Sequence, residues 1–144
     1  MKKLLIVYHS QSGNTETMAK AFYEGALSSG AKVNLKKAVD TTSKDIIDCD
    51  AIIFGTPNYF SYMAGALKDL FDRTFNDVRR KANGKPYVVF GSSGDGGSQA
   101  LDSVENICNA LKFKRAFDGV LAPGKPSPHA LQQCRNRGQK LAQT

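Results

Sequence analysis

The chain has 144 residues, 41% hydrophobic and 23% charged, the balance of one globular domain with a normal-sized core. No apolar run approaches the ~20 residues of a membrane span, and the apolar stretch Leu4–Val7 is too short for a signal peptide. The net charge of +7 is uneven, because Leu111 to Thr144 holds seven basic residues against Asp118 alone.

Apolar and amphipathic segments alternate from end to end. Residues 3–9 form a continuous apolar strand. A helix follows from Asn14 to Leu27, with Met18, Phe22 and Ala26 at helical spacing and Gly30 as its stop. Lys32 to Val39 reads as a second strand, near an edge because of Lys32, Lys36 and Lys37. Ala51 to Gly55 is wholly apolar, as for a strand buried on both faces. Met63, Leu67, Leu70 and Phe71 mark a helix, and Tyr87 to Phe90 the fourth strand. Leu101, Val104, Ile107, Cys108 and Leu111 stripe another helix, and a weaker fifth strand runs from Arg115 to Leu121. Ser127-Pro128 opens a last helix through Leu131, Cys134, Gly138 and Leu141. Five strands alternating with helices imply an open parallel sheet covered on both faces, which binds ligands beyond the carboxyl ends of its strands.

Three loops at those ends carry unusual residues. Ser10-Gln11-Ser12-Gly13-Asn14-Thr15 places hydroxyls, an amide and a glycine before the first helix, where free backbone N–H groups and the helix dipole attract an anion. Ser12 or Asn14 as a plain helix cap is the simpler reading, but four polar side chains exceed what a cap needs. A Gly-Lys-Ser/Thr ending and a Gly-x-Gly-x-x-Gly are both missing, so neither a nucleoside-triphosphate loop nor a dinucleotide fold is indicated. Thr56-Pro57-Asn58-Tyr59-Phe60-Ser61-Tyr62 sets three aromatics in four residues at a strand exit, suited to a flat heteroaromatic ring or simply to covering the sheet end. Gly91 to Ser98, with four glycines, permits close backbone approach to a ligand or plain mobility.

The remaining chemistry is sparse. Cys49, Cys108 and Cys134 are widely spaced and odd in number, which points to buried thiols in a reducing cytoplasm and away from a disulfide framework or metal cluster. No Ser-His-Asp or Cys-His arrangement marks a side-chain catalyst. His9 reads as a packed strand-end residue and His129 as exposed. The basic C-terminal third reads as a solvated helix face, and nothing beside it indicates nucleic-acid binding.

In this order the three loops resemble those of the flavodoxin-like family, which includes flavodoxins and FMN-dependent NAD(P)H:quinone and FMN reductases. Residues 8–15 are similar to its phosphate loop, Cys49 to Asp72 to the second loop of its reductase branch, and Gly91 to Ser98 more loosely to its third loop. The resemblance spans residues 1–144 as one domain. It implies a doubly wound five-stranded parallel sheet of order 2-1-3-4-5 with helices on both faces. It also implies FMN held at Ser10, Gln11, Ser12, Gly13, Asn14 and Thr15 through its phosphate. The ring would lie between Thr56, Pro57, Asn58, Tyr59, Phe60, Ser61 and Tyr62 on one side and Ser92, Ser93, Gly94, Asp95, Gly96 and Gly97 on the other. The flavin then does the chemistry, and no catalytic side chain or metal is implied.

The implied function is a cytoplasmic FMN redox protein with a redox partner protein or a small quinone-like acceptor. Carrier flavodoxins are usually acidic and often stack a third-loop ring on the flavin; this chain is basic and offers Asp95 and glycines there. That leans the expectation toward a small NAD(P)H-dependent oxidoreductase, with an electron carrier as runner-up. The alternative from another class is a non-catalytic binding module that uses the basic C-terminal third on an anionic partner.

Overall fold

Strand β1 (Lys3–Tyr8) is buried from Leu4 onward, and its side chains divide by the two-residue period of a strand. Leu5 and Val7 enter one hydrophobic cluster, while Leu4, Ile6 and Tyr8 enter the other. The same division recurs in β3 (Ala51–Pro57), where Ile52 and Phe54 oppose Ala51 and Ile53. It recurs again in β4 (Pro86–Ser93), where Tyr87 and Val89 oppose Val88 and Phe90. In this computed structural model, which describes residues 1–94 and 97–144, the central strands therefore lie between two helical layers.

One layer is α1 (Asn14–Ser28) and α5 (Pro128–Gln143); the other is α3 (Gly65–Val78) and α4 (Gln99–Ala110), joined by Ile46 of the short α2 (Ser43–Asp48). With β2 (Lys32–Lys37), β5 (Lys114–Arg115) and β6 (Val120–Pro123), the strands form one parallel sheet of order β2-β1-β3-β4-β5, with β6 also pairing β4. The order agrees with the expected 2-1-3-4-5. β1 is its switch point, pairing β2 on one side and β3 on the other.

Several boundaries differ from the sequence reading. The second strand stops at Lys37, and Ala38–Asp40 turn as a 3-10 helix. Helix α2 was not expected; its six residues are too few for a readable period, and it stands on tertiary support. Thr42 and Asp45 close a capping box at its start. At its other end Lys85 Nζ donates to the carbonyls of Ile46 (2.6 Å), Ile47 (2.9 Å) and Cys49 (2.6 Å). The third strand continues through Thr56 and Pro57, and the fourth through Gly91, Ser92 and Ser93. The fifth is split: Arg115 pairs Tyr87, Val120 pairs Phe90, and the intervening residues are too many to follow the ladder. There Gly119 lies so close to β4 that a Cβ would sit 2.9 Å from the Val89 carbonyl oxygen.

The α1–α5 crossing depends on glycine. A Cβ on Gly138 would lie 2.4 Å from the Phe22 carbonyl oxygen, and one on Gly25 would lie 2.0 Å from that of Arg135. Gly138→Ala is expected to destabilise the fold by about 1–3 kcal/mol through overpacking, read as a lower denaturant midpoint. Asp45 generates a pH dependence. Burial pushes its carboxyl up, but the Lys36 ammonium at 2.8 Å and the N–H and hydroxyl of Thr42 outweigh this and hold it below the usual carboxylate range. Its contribution is full above the unfolded value of about 4 and is lost as pH falls through the lower folded value. Asp45→Asn should accordingly flatten the loss of stability below about pH 4, measured by denaturant titration at each pH.

Candidate functional site

The loop after β1 is built around Gly13, whose φ of +99° is left-handed and natural for glycine alone. The Ser10 hydroxyl oxygen accepts from the N–H of Gly13 and of Glu16, both at 3.2 Å. Ser10 is therefore the residue that caps the helix, in place of Ser12 or Asn14, and its own O–H proton remains to be donated. The N–H groups of Asn14 and Thr15 take no acceptor among the described residues, and a Cβ built on Gly13 meets nothing within 4 Å. Open amides, the positive end of α1 and the Ser10 and Ser12 hydroxyls together make a cradle for a phosphate-sized anion without a cation. Tyr8, its phenol pushed up to about 12 by burial and by Glu16, stays protonated and donates to Glu16 at 2.9 Å.

Thr15 plays a different part. It is 1% exposed, and its hydroxyl meets that of Ser92 at 2.8 Å. This buried bond ties the start of α1 to the end of β4. A bulky apolar residue at Thr15 would therefore disturb packing as well as any anion.

The loop after β3 is a tight hairpin turn. Tyr59 and Tyr62 exchange both backbone hydrogen bonds (3.0 and 3.1 Å), and the central residues Phe60 (φ 54°) and Ser61 (φ 62°) are both left-handed. Turns of this kind favour Asn-Gly, so Phe60-Ser61 holds backbone strain of roughly 1–3 kcal/mol per residue. The turn is fastened at each end. Asn58 N–H donates to the Ser92 carbonyl at 2.8 Å, while Met63 and Ala64 N–H donate to the hydroxyls of Ser103 (3.1 Å) and Thr56 (2.9 Å). Thr56 is fully buried and acts here as a fastening. Pro57 is buried too, whereas Phe60 is fully exposed and Tyr62 exposed.

Asn58 joins the second loop to the third. Its Nδ2 donates to the Gly97 carbonyl (3.3 Å) and to Gln99 Oε1 (3.2 Å), while its buried Oδ1 has no partner among the described residues. An open cleft of about 340 Å³ lies between Asn58, Phe60, Ser61 and Gly94. Tyr59 closes the ring of contacts by donating to Gln11 Oε1 at 3.0 Å, and it meets His9 edge-on with centroids 6.0 Å apart. His9 is the packed strand-end residue expected, its N–H donating to the Gly55 carbonyl at 3.2 Å, and His129 is exposed.

The sequence-predicted residues thus gather at one end of the sheet, with Ser93 buried beside Ser92; Asp95 and Gly96 lie outside the described residues. Gln99 and Ser103 were missed. Both belong to α4, and no local signal distinguishes a helix residue that happens to face another loop. The three thiols are buried and free. Burial pushes Cys49 up to about 11 against the pull of Lys85, and Cys134 up to about 12, so they are protonated near neutral pH. The orphaned Asn58 oxygen, the open amides and the cleft fit a phosphorylated ligand with a flat polar ring.

Comparison with known proteins agrees with this fit. A flavodoxin of Aquifex aeolicus is 28% identical over 160 residues, covering 99% of this chain and 86% of that protein. The structure of an archaeal flavodoxin superposes with a TM-score of 0.87 at 26% identity, covering 98% of this chain and 96% of that one. A flavodiiron core from Synechocystis does so at 0.84 and 26%, covering 99% of this chain but 35% of that one. The sequence profile of the flavodoxin family matches residues 6–138, and the chain belongs to that family of FMN-binding electron carriers.

Proposed function

We propose that this protein carries electrons between partner proteins, holding the FMN phosphate in the Ser10–Thr15 loop and the ring between the Asn58–Tyr62 turn and the end of β4. The observation that supports this most directly is the tie between the two loops. Tyr59 donates to Gln11 Oε1 at 3.0 Å, which fastens the turn carrying the exposed Phe60 to the loop whose left-handed Gly13 precedes the open amides of α1. Bound there, the flavin supplies the electron-storing chemistry. The chain's own residues bind and orient. Asn14 and Thr15 N–H groups and the Ser10 and Ser12 hydroxyls take the phosphate charge, and Asn58 holds the two ring-flanking loops at fixed separation.

The carrier reading replaces the lean toward an NAD(P)H-dependent oxidoreductase. A fully exposed aromatic on a strained, fastened turn suits contact with another protein surface more than a walled substrate pocket. Protonated, buried thiols suit a reducing cytoplasm. The basic C-terminal third gives no support to the binding-module alternative as a single face, because its charges separate. Arg115 pairs with Glu105 and Asp118, and Arg137 donates to the Asp118 carbonyl, while Lys112 lines a separate hollow beside Arg79 and Arg80.

Two measurements test this proposal. Ser12→Asp with Asn14→Asp places carboxylates at a helix N-terminus, which favours the fold by about 0.3–1 kcal/mol each while repelling a phosphate. FMN affinity should fall by about a hundredfold or more and riboflavin affinity should stay level; unchanged FMN affinity would mean the phosphate lies elsewhere. In anaerobic stopped-flow, the FMN-loaded protein mixed with NADH or NADPH should bleach only slowly without a donor protein. Bleaching within milliseconds would restore the reductase reading.

A further inference from the structure

At the amino end of the sheet, opposite the Ser10–Thr15 loop, two helices end side by side. Helix α3 stops at Val78 and the chain turns through Arg79, Arg80 and Lys81; α4 stops at Ala110 and turns through Lys112. Gly84 N–H donates to the Lys112 carbonyl at 2.7 Å and clamps the two turns together. Arg80 (φ 70°) and Lys112 (φ 62°) both occupy the left-handed position after a helix, where glycine is the unstrained choice. Between the turns lies a cavity of about 260 Å³ lined by Arg79, Arg80, Asn83 and Lys112, with Phe75 and Leu111 among its apolar walls.

The charge here is uncompensated. Lys20, Lys36, Lys44, Lys68, Arg73 and Arg115 each reach a carboxylate. Among the described residues the other fourteen cations reach none, and five of these, Arg79, Arg80, Lys81, Lys112 and Lys114, belong to the two short segments that follow α3 and α4. Complementing the two helix dipoles would take about one positive charge in all, half a charge at each end. Five cations crowd the ends instead, two of them in strained backbone. Like charges kept together at a stability cost indicate a ligand of opposite sign.

We infer that this cavity is a second anion site, distinct from the flavin end, which takes a pyrophosphate-bearing small molecule. Arg79, Arg80, Asn83 and Lys112 around one small concavity bring the donor types that match the several acceptor oxygens of a diphosphate. The volume lies below the roughly 300–1,000 Å³ of pockets that enclose a whole drug-sized ligand, so the phosphates and not the rest of the molecule are held.

The test uses the FMN-saturated protein, with the amide NMR signals of Asn83 and Gly84 followed on titration with inorganic pyrophosphate, ADP and citrate. Pyrophosphate and ADP should shift these signals with similar affinity, and citrate should bind at least about tenfold more weakly. Arg80→Gly with Lys112→Gly suits the backbone at both positions, so the variant should fold with unchanged or raised melting temperature and bind pyrophosphate about tenfold or more weakly. Lys125→Ala with Lys140→Ala removes the same charge elsewhere and should change binding less than about twofold. Equal weakening in the two variants, equal binding of citrate, binding of ADP without pyrophosphate, or a glycine variant of lower stability would each overturn the site.

Discussion

A parallel sheet can widen in both directions only by reversing its strand order somewhere, and here the reversal falls at β1. Because β1 pairs β2 on one side and β3 on the other, the connections leaving β1 and β3 pass to opposite faces of the sheet. Backbone groups at their starts are left without a neighbouring crossover to cover them. The open amides of α1, the Asn58 turn and the end of β4 all border that gap. The reversal in turn requires β1 and β3 to be buried on both sides, which their continuous apolar runs provide.

What turns the gap into a defined site is a set of short polar ties between elements far apart in sequence. Thr15 meets Ser92, Asn58 N–H meets the Ser92 carbonyl, and the Asn58 side chain meets Gly97 and Gln99. Each is a modest interaction of roughly 0.5–1.5 kcal/mol. Their joint effect is geometric: three loops are held at one spacing, so the slot between them is preformed. The strain in Phe60 and Ser61 persists because the turn is fastened at both ends.

Charge is distributed by the fold in a way that linear segments obscure. The seven basic residues after Leu111 look like one block, yet the structure scatters them among ion pairs, the exposed face of α5 and the amino end of the sheet. Lys112 and Lys114 there join Arg79, Arg80 and Lys81 from a segment thirty residues earlier. The amino end of the sheet thereby collects cations from two distant segments, while the opposite end presents open amides and aromatics.

The order of elements, the doubly buried strands and the position of three polar, glycine- or aromatic-rich loops at the strand exits were legible in the sequence, because burial on both faces imposes unbroken apolar runs and because Gly, Ser and Asn mark turns. Helix α2, the split fifth strand and the working roles of Ser10, Thr15 and Thr56 were not. Six residues cannot show a helical period, and a hydroxyl gives no local sign of whether it faces a ligand or a neighbouring strand. Those choices rest on distances between residues as far apart as Thr15 and Ser92, which exist only once the sheet has formed.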